Sequence, residues 1–131
     1  MKLKITIITI FLVGTVSVSL ITTGQTQNQY KNLRVLPKNI SAKDLNQIMV
    51  DEFQDGLGVS CLFCHSENKI THLPDYISDV KPEKQIARKM MRMTLKLNKH
   101  FFKVSHPQIG TKSLAITCST CHNGSPRPEN H

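Results

Sequence analysis

Cys61-Leu62-Phe63-Cys64-His65 and Cys118-Ser119-Thr120-Cys121-His122 hold every cysteine of the chain, each pair as Cys-x-x-Cys with a histidine next in line. Two thiols with two residues between them can each add to one vinyl group of a porphyrin. The adjacent imidazole then lies under the ring edge, where a nitrogen reaches the iron as proximal ligand. With 6 His in 131 positions, a histidine follows a chosen cysteine by chance about once in twenty, so two such coincidences are not expected. The spacing therefore predicts two c-type haems, attached at Cys61, Cys64, Cys118 and Cys121, with His65 and His122 on the irons. Three other readings fit less well. One shared zinc does not suit the 53 residues between Cys64 and Cys118 and leaves both histidines unexplained. A thioredoxin-like site needs a strand before its motif, and none is visible. Plain disulfides, usual in exported chains, do not account for the histidines either.

The rest of the composition agrees with a small domain whose core is completed by a cofactor. The chain has 131 residues, 17 Lys+Arg against 9 Asp+Glu, no Trp, two Tyr and five Phe. So little aromatic and apolar material gives a thin core, and domains of this size usually need a metal, disulfides or a cofactor. Lys2 and Lys4 precede the run Ile5 to Ile21, in which 11 of 17 residues are apolar and the remainder Thr, Ser or Gly. Small residues at 22–24 and a polar Gln-rich stretch follow. This pattern is an export signal over 1–24, with cleavage after Gly24, or else an uncleaved N-terminal anchor. Residues 25–131 then form one dihaem domain with a net charge of about +6. Export places it in the periplasm, soluble or held at the outer face of the inner membrane.

Between the motifs the sequence reads as helix, turn and motif, used twice. Ser41 with Asp44 three residues on is a capping-box-like start, and Leu45, Ile48, Met49 and Phe53 recur at helical spacing until Gly56 and Gly58. Pro82 opens a second helix, from Glu83 to about Phe101, with Ile86, Met90, Met93, Leu97 and Phe101 on one stripe. Its other faces are basic through Lys84, Arg88, Arg92, Lys96 and Lys99, with Lys103 beyond. The expected fold is mainly α, two helix-turn-Cys-x-x-Cys-His units with little or no sheet. No feature is assignable over Asn68 to Ser78. Electron-transfer haems want a second axial ligand, and a helix across the far face of the ring can bring one. Met49 stands 12 residues before Cys61, and Met90 and Met93 stand 28 and 25 before Cys118. Met91 is rotated by about 100° toward the edge of the stripe. His72, His100, His106 and His131 are the rival ligands.

Asn32 to Pro37, Leu57-Gly58-Val59 before Cys61, Ile86-Ala87-Arg88-Lys89-Met90-Met91-Arg92-Met93-Thr94, and Ile116-Thr117 before Cys118 with Asn123-Gly124 after His122 carry a resemblance. Over about residues 32 to 128 the chain resembles the cytochrome c subunit of photosynthetic reaction centres. The resemblance implies that Met49 is the distal ligand of the haem at His65, and that Met90 serves the haem at His122 with Met93 beside it or in its place. It departs from the family in three ways. There are motifs for two haems rather than four, Val104 stands where the family's cross-ligating histidine is expected with His106 nearby, and the connection from Met90 to Cys118 is longer. Fold and ligation are therefore expected to carry over, and photosynthesis is not inferred.

Function follows from ligation. Six-coordinate His/Met haems exchange electrons and leave no open position for substrate, so an exported dihaem electron carrier is expected rather than an enzyme. The alternative, a dihaem peroxidase, needs an open distal site with an acid or base beside it, and no such residue set is visible. Redox protein partners follow, acidic ones suiting the basic helix, with association at a membrane surface also compatible. Nucleic acid does not fit an exported chain without aromatics between its charges.

Overall fold

A computed structural model describes residues 30–128; the export segment at 1–24, its cleavage point and His131 lie outside them. The first helix starts where capping chemistry puts it. The Ser41 hydroxyl accepts from the Asp44 amide at 3.1 Å and donates to the Asp44 carboxylate at 2.7 Å, so the box closes through the two side chains. Helix α1 (Ala42–Ile48) then widens into a π segment, Met49–Asp55, an element that recurs at functional sites. Gly56 still has helical dihedrals, and the chain turns at Gly58, whose φ is +63°.

The first motif forms α2 (Cys61–Cys64), and a feature the sequence did not disclose follows at once. Strands β1 (Ser66–Glu67) and β2 (Pro74–Asp75) pair antiparallel, Ser66 with Asp75 and Glu67 with Pro74. Asn68 shapes the bend by accepting from the Ile70 and Thr71 amides at 2.9 and 3.1 Å, an Asx-type turn. The expectation of little sheet is thus met by this one two-residue ladder within a mostly helical chain.

Helix α3 (Pro82–His100) has proline in its first turn, where the missing N–H costs nothing. It buries an unusual face: Lys84, Arg88, Met91, Thr94 and Asn98 point inward, and the stripe Ile86, Met90, Met93 and Phe101 is exposed. The two inward charges are both held. Arg88 gives both Asp79 carboxylate oxygens a hydrogen bond at 2.9 Å and reaches the Asn32 carbonyl at 3.1 Å. Lys84 donates to the Tyr76 and Ser78 carbonyls at 2.9 and 2.6 Å. The expected basic face is corrected accordingly, since Lys84 and Arg88 tie the 76–79 loop and the N-terminal segment to the helix and are not on the surface. The buried apolar side chains are Leu36, Ile48, Met91 and Ile109, with Leu33, Val35, Leu45, Met49, Phe53 and Leu114 packed around them.

Asp79 sits at the middle of this polar cluster, with Arg34 and Lys84 at 3.5 Å besides Arg88, and the Asn32 amide at 2.8 Å. The Arg88 hydrogen bond, chiefly, holds its carboxyl well below the usual carboxylate range. A carboxylate with a depressed folded pKa stabilises the fold above its unfolded value of about 4, and that contribution is lost as pH falls further. Asp79→Asn should therefore be less stable than the parent at neutral pH. The gap between the two should narrow below about pH 4, as urea unfolding over a pH series would show. A gap that stays constant with pH would contradict this role.

Candidate functional site

The two motifs are packed against each other's halves. Lys81, leading into α3, donates to the Leu62 carbonyl inside the first motif. The second motif forms α4 (Cys118–His122) against the π segment of the first half, where buried Glu52 accepts from the Cys118 amide at 3.3 Å. The Gly124 amide donates to the Gly56 carbonyl at 3.1 Å. Thr117 and Thr120 cap α4 reciprocally, a motif that fixes the entry angle of a very short helix. Asn98, 0% exposed, holds the approach to it. Its amide donates to the Thr94 and Ile116 carbonyls at 2.9 and 2.8 Å and accepts from the Ala115 and Ile116 amides at 2.7 and 3.2 Å. The two units are interleaved, then, and not a side-by-side repeat.

All four thiols are free, Cys61 and Cys121 exposed, Cys64 and Cys118 partly covered. Burial raises the Cys64 thiol, with the Glu83 carboxylate adding to it. Cys118 is pushed up to about 12, first by burial and then by its hydrogen bond to Glu52. Each pair sits on one turn of helix, so both sulfurs of a motif and the following ring can address one flat group. Among the described residues no three His, Cys, Asp or Glu side chains gather as a bare metal ion would need.

The two histidines differ in their support. His122 Nδ1 lies 2.9 Å from the Ser125 carbonyl. A carbonyl can only accept, so Nδ1 carries a proton and Nε2 is the nitrogen left to face a metal. His65 meets Tyr76 edge-on, with ring centroids 5.0 Å apart. Burial, followed by the Lys84 ammonium, lowers its pKa and favours the neutral, metal-binding ring, opposed by the Asp75 main chain. Its Nδ1 is buried and makes no hydrogen bond of acceptable geometry.

The methionines separate as their helix positions require. Met91 is 7% exposed and belongs to the core, while Met90 and Met93 are 41% and 46% exposed on the apolar stripe of α3. Met49 opens the π segment, partly buried against the core. An amphipathic helix normally buries its apolar stripe. Here Lys84, Arg88, Thr94 and Asn98 are inside with Met91, while Ile86, Met90 and Met93 are exposed beside the remaining cations, so the apolar stripe is open to a flat apolar group such as a porphyrin. The free thiol pairs, the oriented His122 and this uncovered stripe all fit covalent haem. Glu52 and Asn98, which frame the second motif, escaped sequence reading. For Glu52 its place four residues after Ile48 was a hint of burial, whereas nothing in the sequence marked the Asn98 side of its helix as the inner one.

Residues 13–131 match the profile of the family described as photosynthetic reaction centre cytochrome C subunit. Cytochrome c-554 of Chloroflexus aurantiacus is 32% identical over 95 residues, 72% of this chain and 20% of that protein. The photosynthetic reaction center cytochrome c subunit of Rubrivivax gelatinosus is 36% identical over 69 residues, 53% of this chain and 15% of that protein. The chain spans a fifth or less of the length of these curated relatives. No solved structure matches.

Proposed function

The chain belongs to the photosynthetic reaction centre cytochrome c subunit family, haem-containing cytochromes of electron transfer, and on that premise we propose that it is an exported dihaem electron carrier. Cys61 and Cys64 hold one haem c with His65 on its iron, and Cys118 and Cys121 hold the other with His122. Met49 closes the first coordination sphere and Met90 the second, with Met93 as the alternative to Met90. The haem supplies reversible one-electron exchange when bound. The chain's own residues attach it, orient the imidazoles through Ser125 and Tyr76, and cover it with the apolar stripe of α3. The observation that carries this reading is that stripe, with Ile86, Met90 and Met93 exposed on a helix that instead buries Lys84, Arg88, Thr94 and Asn98. Family membership makes electron transfer the expected role, and nothing here favours a peroxidase. The proposed location is the periplasm, soluble or at the membrane surface. Among the described residues no helix is long and apolar enough to cross a membrane.

The test is a pyridine haemochrome assay on the full chain exported with the c-type maturation machinery. Two covalent haems per chain are expected, and one in a Cys61→Ala/Cys64→Ala variant; no covalent haem would overturn the reading. The methionines give a second, sharper expectation. Met91→Ala should lose about 2–4 kcal/mol of stability by leaving a core cavity, with the haem spectrum unchanged. Met90→Ala should barely alter stability and should abolish the Met-to-iron charge-transfer band of one haem. Made in the single-haem variants, Met49→Ala and Met90→Ala assign each sulfur to its iron.

A further inference from the structure

Removing Lys84 and Arg88 from the surface leaves a narrower set of cations on α3. Lys89, Arg92, Lys96 and Lys99 are exposed and lie along one side of the helix over about 15 Å. None of the four pairs with an acid among the described residues, whereas Arg34, Lys84 and Arg88 all meet Asp79. Glu83, in the first turn, is the single acidic residue of the helix. Like charges three and four residues apart destabilise a helix, and solvated helix faces ordinarily mix both signs. Lys96 and Lys99 gain from the C-terminal end of the helix dipole, but Lys89 and Arg92 sit mid-helix and do not. The ridge flanks the apolar stripe, since Lys89 precedes Met90, Arg92 precedes Met93 and Lys96 precedes Leu97, each about 100° round the helix from its neighbour.

We propose that Lys89, Arg92, Lys96 and Lys99 form the docking ridge for an acidic redox protein, which it seats beside the methionine-bearing face of the same helix. This rests on the dihaem reading. Charge complementarity selects an acidic protein: a stiff row of four cations at fixed spacing matches a carboxylate patch on a folded partner. Docking there sets the partner against the helix that carries the stripe proposed to cover haem, and steering by the ridge raises the encounter rate at low salt.

A suitable probe is a reduced flavodoxin, an acidic protein whose flavin gives up one electron as a ferric haem of the full chain becomes ferrous. Stopped-flow reduction should slow at least tenfold in Lys96→Glu/Lys99→Glu at low ionic strength, with the difference largely gone at about 0.5 M salt. Lys38→Glu/Lys43→Glu changes net charge equally on exposed residues away from the ridge, and should slow the reaction far less. Equal slowing of both variants, or none in either, would overturn the ridge as the docking site. So would a ridge variant that leaves flavodoxin reduction unchanged while releasing the chain from phosphatidylglycerol vesicles, which would assign the ridge to lipid. A chain with no haem absorbance to follow fails the dihaem reading itself and takes the ridge with it, a result separate from unequal or equal rates.

Discussion

Gly58→Ala is expected to be the most damaging single methyl group that can be added to this protein. The glycine has φ +63°, and a β-carbon there would stand 2.2 Å from the Gly124 carbonyl oxygen. Two penalties combine. A left-handed conformation costs an alanine about 1 kcal/mol, and the collision is with backbone, which cannot rotate aside as a side chain could. Together they should remove about 3–4 kcal/mol, which for a domain near 100 residues lowers Tm by about 15–25 °C. The displaced atom is two residues past His122, so under the proposed haem attachment at Cys118 and Cys121 the damage should show first there, as loss of covalent haem. Gly124→Ala is the internal control. Its φ is +79° but nothing lies within 4 Å of the added carbon, so only the conformational penalty of about 1 kcal/mol is expected. Equal Tm losses in the two variants would show that the contact between the halves is not made.

Asn98→Ala should cost nearly as much, for the opposite reason: it removes atoms. The fully buried amide serves two donors and two acceptors. Its loss leaves the Ala115 and Ile116 amides and the Ile116 carbonyl without this partner at a part-buried position. Buried groups left unpaired cost about 1–3 kcal/mol each when unrelaxed, so a net loss of about 3 kcal/mol is expected. Hydrogen exchange locates it: the amides of Ala115 and Ile116 should lose protection, while those of the 66–75 hairpin keep theirs. Asn98→Asp retains the two accepting contacts and should recover part of that protection. If Asn98→Ala unfolds at the parental urea concentration, the clamp is not what holds the second motif.

Much of the site was legible because its chemistry is local. A Cys-x-x-Cys-His run places two sulfurs and an imidazole on one turn whatever the remainder of the chain does, and Pro82, Ser41 and Gly58 mark turns and caps by properties of single residues. The methionine stripe was legible too, from period alone. What the period could not say was which face of α3 turns inward. A hydrophobic pattern normally answers that, and here it points the wrong way, because the buried side is decided by Asp79 and by backbone carbonyls contributed from residues 32, 76, 78 and 116. Those partners are up to 56 positions away from the side chains that meet them.

The sequence by itself therefore pointed to the haem chemistry of its family and to the helical class, and it named the residues proposed to reach the iron. Each depends on neighbours within a turn or two, where covalent geometry sets the distances. Only the tertiary structure decided that the two units interleave, that Glu52 and Asn98 frame the second motif, and that Lys84 and Arg88 are structural while Lys89, Arg92, Lys96 and Lys99 remain outside. Burial of a charge is a property of the partners that compensate it, and those partners are brought together by the fold.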